Sequence, residues 1–374
     1  MIHTNTLIIG ASAAGLASAA CLKQKGIPFI ILEKEEAVGI KWRNHYDRLH
    51  LHTSKNQSAL PFKKFSTPSK YPSRTDVVEY LDQYVKELEI DPVYNCTVQS
   101  VEKIDEHWET RTANECYQSR NVIIATGLNN IPKIPNWNGL DSFKGKKLHS
   151  SAYKNGKEFS GQKVLVVGFG NSACEQAICL VENGASPSLS VRSAVNIIPR
   201  DILGFPVLEM GKLTSFLPAR LADKINAPLI KLIVGDIRKL GLKKSNLGPK
   251  EQIEKLNRIP LLDIGTVKLI KEGRIKVFGD IIRIENNLVF FEDGRSENFD
   301  AIIFATGYKH GIESILNLVD ERLVDLKKVT NHQSYFGKDG LYFCGFYVSP
   351  MGMLREIGIE ARRIAEDIFI KEKI

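Results

Sequence analysis

Closely paired cysteines are missing from this sequence. Its six cysteines contain no C-x-x-C pair, and Cys174 and Cys179 are spaced so that on a helix they would point in different directions. This pattern argues against a dithiol redox centre, a metal site and a disulfide framework. We interpret most of the cysteines as small buried hydrophobes and expect no bound metal.

Long hydrophobic runs are missing as well. No apolar stretch approaches the roughly 18 residues that a membrane span needs. The first predicted strand begins near the amino terminus, which leaves no room for a signal peptide. We therefore expect a cytoplasmic protein without a membrane partner.

The net charge is +8, but no arginine-rich arm or nucleic-acid motif accompanies it. The basic residues are spread out, with small clusters at Lys144–Lys147 and Lys243–Lys244. We therefore expect no nucleic-acid partner. The excess would help to attract an anionic ligand, although a basic host proteome explains it equally well.

The bulk composition is that of an ordinary globular protein. The chain has 374 residues, of which 43% are hydrophobic and 25% are charged. This balance argues against disorder, and the length favours two domains. The sequence does not determine the oligomeric state.

Two glycine fingerprints dominate what is present. The first is Gly10-Ala11-Ser12-Ala13-Ala14-Gly15, which follows the apolar run Thr6–Ile9. The second is Gly168-Phe169-Gly170-Asn171-Ser172-Ala173, which follows Val164–Val167. In a strand–turn–helix unit, the first glycine makes the tight turn and the second lets the backbone approach a pyrophosphate. The third lets the helix pack on the strand. Two such units predict two bound dinucleotides.

The elements around both fingerprints repeat one plan. The pattern predicts strand, helix and strand at 5–10, 14–25 and 28–33, and again at 162–167, 171–183 and 188–192. Two further buried strands, 121–127 and 301–307, each end in Ala-Thr-Gly. The predicted fold is therefore α/β, with two Rossmann-like dinucleotide-binding domains.

The order of these elements suggests that one domain interrupts the other. We predict a first domain of 1–155 plus 300–374 and an inserted second domain of 156–299. Within the insertion, 200–262 is expected to be mostly helical. The apolar periodicity of Leu217–Leu240 favours a packed face there, with a substrate lid as the alternative.

The residue at the end of the second strand of each unit indicates which cofactor that unit binds. In the first unit it is Glu33, followed by Lys34, and a carboxylate there bonds ribose hydroxyls and repels a 2′-phosphate. In the second unit it is Arg192, followed by Ser193, and a guanidinium suits the 2′-phosphate of NADPH. We therefore predict FAD, or else an NAD, at the first fingerprint and NADPH at the second.

A further motif lies between the two units. Residues 143–153 have the form F-x-G-x-x-x-H-x-x-x-Y, and His149 and Tyr153 occupy its last two specified positions. This segment resembles the identifying motif of the class B flavin monooxygenases. Tyr153 differs from the tryptophan that the Baeyer–Villiger group carries there. We expect His149 to bond backbone rather than to act as a general base.

Within that class, the chain most resembles the plant YUCCA flavin monooxygenases, which convert indole-3-pyruvate to indole-3-acetate. The similar segments span most of the chain; they include Tyr46–His52, Leu60–Phe62, Tyr71-Pro72, Glu79–Leu81, Gly168–Ser172 with Glu175, Pro199-Arg200, Leu247–Pro249, Leu262–Thr266 and Phe299–Tyr308. The departures are Ser12, Phe169 and Ala173 in the fingerprints. His52 stands where the broader flavin-containing monooxygenases have an asparagine near the flavin.

The resemblance implies a reaction through a flavin 4a-hydroperoxide. NADPH would reduce FAD, and O2 would add to the reduced flavin. The adduct would then decarboxylate an anionic 2-oxo acid. Candidate catalytic residues are Lys55, His52 and Asn171, with Arg74 as another cation for the substrate. The residues expected to bind cofactor are Gly10, Ser12, Ala13, Gly15, Glu33, Lys34, Trp42, Arg43, His52, Thr126, Gly127, Gly168, Gly170, Asn171, Ser172, Arg192, Ser193, Thr306, Gly307 and Gly345.

Three alternatives stay open at this point. The first is an N- or S-oxygenating monooxygenase of the same class. The second is an NADPH oxidase or quinone-type reductase that never oxygenates a substrate. The third is a non-catalytic redox-sensing flavoprotein, which the second fingerprint disfavours because a sensor needs no full NADPH site.

Overall fold

The structure is a computed structural model, and it describes residues 1–211, 216–316, 337–349 and 351–373. Parts of the predicted segment 300–374 therefore lie outside the described residues. Among these residues, the α-helices are α1 Ala13–Gln24, α2 Ile40–Arg43, α3 Arg74–Glu87, α4 Asn171–Glu182, α5 Val207–Met210, α6 Ala219–Val234, α7 Pro249–Leu256, α8 Thr266–Lys271 and α9 Met353–Lys371.

The described residues form 20 strands. They are β1 Ile2–Ile9, β2 Phe29–Leu32, β3 Val98–Ile104, β4 His107–Thr112, β5 Cys116–Ile124, β6 Ile131–Pro132, β7 Lys146–His149, β8 Lys163–Val167, β9 Ser186–Ser190, β10 Ile197–Pro199, β11 Asp201–Ile202, β12 Phe205–Pro206, β13 Leu261–Asp263, β14 Lys276–Phe278, β15 Ile281–Glu285, β16 Leu288–Phe291, β17 Ser296–Asn298, β18 Ala301–Phe304, β19 Tyr308–Lys309 and β20 Leu341–Phe343.

The chain divides into two compact units, each made of separate segments. The first unit comprises Met1–Arg43, Thr53–Ile131 and Tyr308–Ile374. The second comprises Asn44–His52 and Pro132–Gly307. The α/β class with two nucleotide-binding-type units agrees with the fold predicted from the two fingerprints.

The first unit contains a six-stranded sheet. Strands β2, β1, β5 and β20 run parallel. Strand β4 pairs antiparallel with the first half of β5, and β3 pairs antiparallel with β4. The register aligns Leu32 with Ile9, Ile9 with Ile124 and Ile124 with Phe343. The carboxyl ends of these four strands therefore meet at one edge of the sheet, where ligands of such sheets bind.

The second unit contains a parallel sheet in the order β14-β9-β8-β18-β7. Val167 is in register with Ser190 and Phe304, and Phe304 is in register with His149. A three-stranded antiparallel ladder, β15-β16-β17, packs its Phe291 with Phe278 of the sheet at a ring distance of 4.4 Å. The second unit exceeds 156–299 because β7 pairs with β18 and because the segment Asn44–His52 is grouped with it.

The stretch 200–262 is less helical than its sequence predicts. Strands β11 and β12 and the start of β13 lie within it, and a tight turn at Leu203 and Gly204, both with positive φ, joins β11 to β12. Only a few residues of α6 form the packed face that was expected over Leu217–Leu240, and most of its large apolar side chains are exposed. Ala219, Ala222 and Val234 are buried there, whereas Leu221, Ile225, Leu229, Leu232 and Ile233 are exposed.

Both Ala-Thr-Gly strand ends were predicted too long. Strand β5 ends at Ile124 and β18 at Phe304, so each Ala-Thr-Gly begins the loop that follows. Gly127 and Gly307, the last residues of the two motifs, have φ values of +77° and +83°, which no extended strand contains. Among the residues described, we find no helix that is long and apolar enough to cross a membrane.

Candidate functional site

The first fingerprint forms a tight loop against the neighbouring strand β5. A Cβ on Gly10 would lie 2.8 Å from the carbonyl oxygen of Ala125, and one on Gly15 would lie 1.8 Å from the oxygen of Gly10. Ser12 is the N-cap of α1, but its side chain makes no capping hydrogen bond. Ala13 begins the helix and is buried. The first backbone N–H groups of α1 are therefore left for a ligand.

Glu33 joins this loop to the end of β2. Its Oε2 accepts a hydrogen bond of 2.6 Å from the backbone N–H of Ala11, and its Oε1 accepts one of 3.1 Å from the backbone N–H of Glu35. Lys34 is exposed and lies 3.6 Å from Glu35. The buried carboxylate of Glu33 thus lies directly beside the fingerprint, whereas Lys34 points toward solvent.

Helix α2 lies next to the same loop. The backbone N–H of Gly39 donates to the oxygen of Ala11 at 3.2 Å, and Trp42 is half-buried just beyond it. Arg43 is bound within the protein, since its guanidinium donates to the carbonyl of Val38 at 3.1 Å and pairs with Asp82. Arg43 is therefore placed near the loop, but its charge is already partnered.

Lys55 and Gln57 lie in one turn of 3-10 helix. The Lys55 ammonium donates to the carbonyl of Thr67 at 2.6 Å, and it is half-buried. Gln57 is buried, and neither atom of its side-chain amide has a hydrogen-bond partner among the described residues. Arg74, at the start of α3, donates to the carbonyl of Arg43 at 2.7 Å. Gln57 was not among the residues predicted from the sequence.

Two more loops meet the start of α1. Thr126 follows β5, and its buried hydroxyl has no partner within the described part of the chain. Gly345 follows β20, and a Cβ there would lie 3.0 Å from the side chain of Ala14. The N–H of Gly345 donates to Glu360 Oε2 at 2.7 Å. Burial raises the pKa of Glu360 to about 7.

The second fingerprint repeats the geometry of the first. Gly168 has φ of +132°, and a Cβ there would lie 2.5 Å from the carbonyl oxygen of Ala305. Gly170 is exposed, and a Cβ there would meet open space. As the N-cap of α4, Gly170 has no side chain to occupy the first N–H groups of the helix. A bound phosphate group can take that place.

Asn171 and Ser172 begin α4. Asn171 Oδ1 accepts a hydrogen bond of 3.0 Å from the backbone N–H of Leu262, so this side chain ties α4 to β13 instead of capping the helix. Ser172 hydrogen-bonds with the buried phenol of Tyr46. Arg192 and Ser193 follow β9, and Arg192 is exposed. These four positions lie at or beside the carboxyl ends of the second sheet.

His149 holds the loop that follows β18. Its Nε2 donates to the carbonyl of Gly307 at 3.1 Å, while its Nδ1 accepts from the N–H of Ser151 at 3.2 Å. Thr306 donates its hydroxyl hydrogen to the carbonyl of Lys133. Burial lowers the pKa of His149, which keeps the ring neutral. This geometry agrees with the expectation that His149 bonds backbone.

His52 forms a buried pair with Glu175 of α4. His52 Nε2 lies 2.8 Å from Glu175 Oε1, and the two side chains are 16% and 3% exposed. Burial and the nearby Glu175 carboxylate raise the pKa of Tyr46 well above its usual range. Sequence reasoning did not assign a role to Glu175. The available signal was an acidic residue within a run, 173–181, that is otherwise largely apolar and entirely buried.

All six cysteines are free; Cys21, Cys174, Cys179 and Cys344 are buried, and Cys96 and Cys116 are half-buried. Burial raises the pKa of Cys21 to about 11 and raises those of Cys174 and Cys344 further, so these thiols are poor nucleophiles. Within the part of the chain that the structure describes, no group of three His, Cys, Asp or Glu residues is arranged to hold a metal ion.

The known proteins to which this chain is similar are flavin-dependent or pyridine-nucleotide-dependent oxidoreductases. The family model for pyridine nucleotide-disulphide oxidoreductase matches residues 7–198. The indole-3-pyruvate monooxygenase YUCCA6 of Arabidopsis thaliana is 38% identical over 383 residues, which covers 98% of this chain and 90% of that protein. The indole-3-pyruvate monooxygenase YUCCA1 of Oryza sativa subsp. japonica is 36% identical over 370 residues and covers 97% and 90% of the two chains.

A solved structure has the same architecture. The flavin-containing monooxygenase from Stenotrophomonas maltophilia superposes with a TM-score of 0.73 at 20% identity and covers 99% of each chain. At this identity the likeness concerns the fold alone.

Proposed function

This chain belongs to the YUCCA family of flavin-dependent monooxygenases, and on that premise we propose that it oxidatively decarboxylates a 2-oxo acid. The substrate class is that of indole-3-pyruvate, and the product is the acid one carbon shorter. A 2-oxo acid, O2, NADPH and a proton give the carboxylic acid, CO2, NADP⁺ and water. One oxygen atom of O2 enters the product acid.

The cofactors are FAD and NADPH. When bound, they supply hydride transfer and oxygen activation, and the chain supplies binding, orientation and protonation. Two observations in the first unit fit FAD. The Thr126 hydroxyl and the Gln57 amide are buried without partners among the described residues, and the N-terminus of α1 has no side-chain cap. The Glu33 carboxylate lies beside that N-terminus and suits ribose hydroxyls.

The second unit fits NADPH by the same reasoning. The space beside Gly170 is open, and α4 has no side-chain cap, so a pyrophosphate can approach its N–H groups. Arg192 is exposed just after β9, where its guanidinium can pair with a 2′-phosphate. Thr306 and Gly307 lie in the loop that His149 holds, and their contact with cofactor is a proposal.

Three side chains are proposed to act on the substrate or its reaction partners. Lys55 carries an ammonium with one backbone partner at 2.6 Å, which leaves two N–H bonds for a substrate carboxylate. His52 offers a buried ring nitrogen, Nδ1, that is without a partner in the described residues. Asn171 is the weakest of the three because its side-chain oxygen already accepts from Leu262.

One observation carries the choice of oxygen as electron acceptor. Both nucleotide loops are complete, yet every cysteine is free and the three most deeply buried thiols have raised pKa values. A dithiol reductase needs a paired, low-pKa thiol next to its flavin. The cysteines therefore support oxygenation rather than disulfide reduction, although the matching family model is that of the pyridine nucleotide-disulphide oxidoreductases.

The test is product analysis with the FAD-loaded protein, NADPH and ¹⁸O2. Indole-3-pyruvate, phenylpyruvate and a tertiary amine are supplied separately, and the products are identified by mass spectrometry. We expect the shortened acid with one ¹⁸O atom from at least one 2-oxo acid. The ratio of H2O2 formed to NADPH consumed is measured in parallel.

The other outcomes identify the competing functions. An N-oxide from the amine, with 2-oxo acids untouched, would assign the protein to the N-oxygenating enzymes. Stoichiometric H2O2 with every substrate would make it an NADPH oxidase and would refute the decarboxylase proposal.

A further inference from the structure

We propose that Glu175 is a positioning residue that makes His52 a proton acceptor. This inference rests on the proposed function, in which His52 faces the reacting groups, and it assigns a role to a carboxylate that has none so far. The structure brings the two side chains together from distant parts of the sequence, one from the segment Asn44–His52 and the other from α4.

The hydrogen bond defines which ring nitrogen carries the hydrogen. His52 Nε2 lies 2.8 Å from Glu175 Oε1, and an ionised carboxylate can only accept. The opposite tautomer would direct the lone pair of Nε2 at the negative oxygen. Glu175 therefore stabilises the ring with hydrogen on Nε2, as carboxylates do for functional histidines elsewhere.

This tautomer determines the state of Nδ1, the other ring nitrogen of His52. With hydrogen on Nε2, the neutral ring presents a bare lone pair at Nδ1. That atom is buried and has no hydrogen-bond partner among the described residues. It can accept a proton from an acidic O–H of a bound reactant. The resulting imidazolium keeps its Nε2–H on Glu175, so charge forms next to the carboxylate and no second proton moves.

The neighbours of Glu175 leave His52 as its acid–base partner. The groups whose charges act on this site are Tyr46, Arg48 and Cys174. Tyr46 also hydrogen-bonds with Glu175, and burial raises the pKa of both Tyr46 and Cys174, so these two groups stay neutral. The guanidinium of Arg48 donates two hydrogen bonds of 2.9 Å to the carboxylate of Glu182.

Burying the carboxylate of Glu175 in α4 costs free energy of desolvation. Glu175 Oε2 has no hydrogen-bond partner within the described residues, although the side chain is 3% exposed. A buried carboxylate with an incomplete set of hydrogen bonds adds little net stability and is costly to desolvate. Its presence is explained by the proton chemistry of His52.

The first experiment reads the tautomer without any cofactor. Long-range ¹H–¹⁵N correlation NMR of ¹⁵N-histidine-labelled protein separates protonated from bare ring nitrogens, and a His52→Asn spectrum assigns the His52 signals. We expect Nε2–H with a bare Nδ1 in the wild type. In Glu175→Gln we expect a mixture of tautomers, because an amide can donate as well as accept. An Nδ1–H tautomer in the wild type, or an unchanged tautomer in Glu175→Gln, would overturn the proposal.

The second experiment measures turnover in holoenzyme. Glu175→Gln should lower kcat with the 2-oxo acid by roughly 10- to 100-fold and raise the share of NADPH that ends as H2O2, with an unchanged KM for NADPH. Glu175→Asp should keep the tautomer and recover part of the rate. The matched control is Glu182→Gln, on the same helix, which breaks the pair with Arg48 and should stay within about twofold of the wild type.

The two experiments separate this proposal from the proposed function. If no 2-oxo acid is consumed by the wild type, the NMR result still decides whether Glu175 sets the tautomer. If decarboxylation occurs and Glu175→Gln retains the wild-type rate, the positioning role alone fails. Comparable unfolding midpoints by circular dichroism ensure that the variants are compared as folded proteins.

Discussion

Glu33 Oε2 lies 2.6 Å from the backbone nitrogen of Ala11, so the acid at the end of β2 holds the first fingerprint loop in place. The carboxylate is buried, and Ala11 is fully buried. Glu33 therefore organises the loop in addition to its proposed bond to the ribose of FAD. The two roles can be separated, because the first is present without cofactor.

Replacing Glu33 tests both roles. Glu33→Ala leaves the N–H of Ala11 buried without an acceptor, which should lower the free energy of unfolding of the apoprotein by about 1–3 kcal/mol. Glu33→Gln keeps an acceptor and should cost less, but it should still weaken FAD binding. Urea unfolding and the ratio of flavin to protein absorbance measure the two effects. The exposed Glu36→Ala is the control, and equal FAD retention in Glu33→Ala and this control would contradict the ribose assignment.

Gly168 and Gly170 form a matched pair in the second fingerprint. An alanine at Gly168 would put its Cβ 2.5 Å from the Ala305 oxygen at φ of +132°, so Gly168→Ala should destabilise the protein by about 1–3 kcal/mol. An alanine at Gly170 meets open space, so Gly170→Ala should leave unfolding within about 0.5 kcal/mol of the wild type. If the pyrophosphate of NADPH approaches Gly170, this variant should nevertheless raise KM for NADPH. An unchanged KM would remove Gly170 from the cofactor site.

Arg192 should discriminate between the two nicotinamide cofactors. Arg192→Ala should weaken NADPH by roughly 10- to 100-fold and leave NADH nearly unchanged, because only NADPH offers a 2′-phosphate for charge-assisted hydrogen bonds. The measurement is kcat/KM with each cofactor. Arg274→Ala removes another exposed arginine from the same unit and controls for overall charge. Equal losses for both cofactors would refute the assignment.

Glu360 should make stability depend on pH. Burial raises its pKa from 4.5 to about 7, so the native state binds a proton that the unfolded chain has lost between these values. Its stabilising contribution is complete below about pH 4.5 and is lost as the pH rises through about 7. Glu360→Gln should therefore stabilise the protein at pH 8, by on the order of 2–3 kcal/mol, and hardly at all near pH 4.5.

The measurement is urea unfolding of both proteins across this range. His149 acts in the opposite direction, since its lowered pKa gives stability that is present above pH 6.5 and lost as the pH falls. The difference between variant and wild type cancels that contribution. Glu366→Gln on the same helix is the control, because its side chain pairs with Lys25 at the surface. A difference that does not change with pH would contradict the buried-acid assignment.

The sequence allowed the nucleotide loops to be predicted because their requirements are local. Gly10, Gly15 and Gly168 are needed by close backbone approaches within a few residues of chain or to an adjacent strand. The ends of β5 and β18 were missed because each apolar run continues into the alanine of Ala-Thr-Gly, beyond the last residue of the strand. Periodicity alone carries no information on that point.

The contacts of individual side chains could not be predicted in the same way. Asn171 was predicted as a catalytic and cofactor-binding residue, and its side-chain oxygen also accepts a hydrogen bond from Leu262, which is distant in sequence. Glu175 was visible only as an acid among apolar residues, and its partner His52 lies far away along the chain. Such pairs depend on how strands and helices pack, which neither composition nor spacing specifies.

The segment Asn44–His52 is grouped with the second unit although Arg43 and Thr53 on either side of it belong to the first. This grouping limits which segments of the chain can be replaced by those of a relative in a chimaera. A recombinant that replaced residues 132–307 alone would bring a foreign α4 to the resident Tyr46, Arg48 and His52. Glu175 and Glu182 of this chain pair with that segment, so the short piece and the long one have to be inherited together. Chimaeras built with a single crossover on each side of the long segment should therefore lose function more often than chimaeras that also carry residues 44–52.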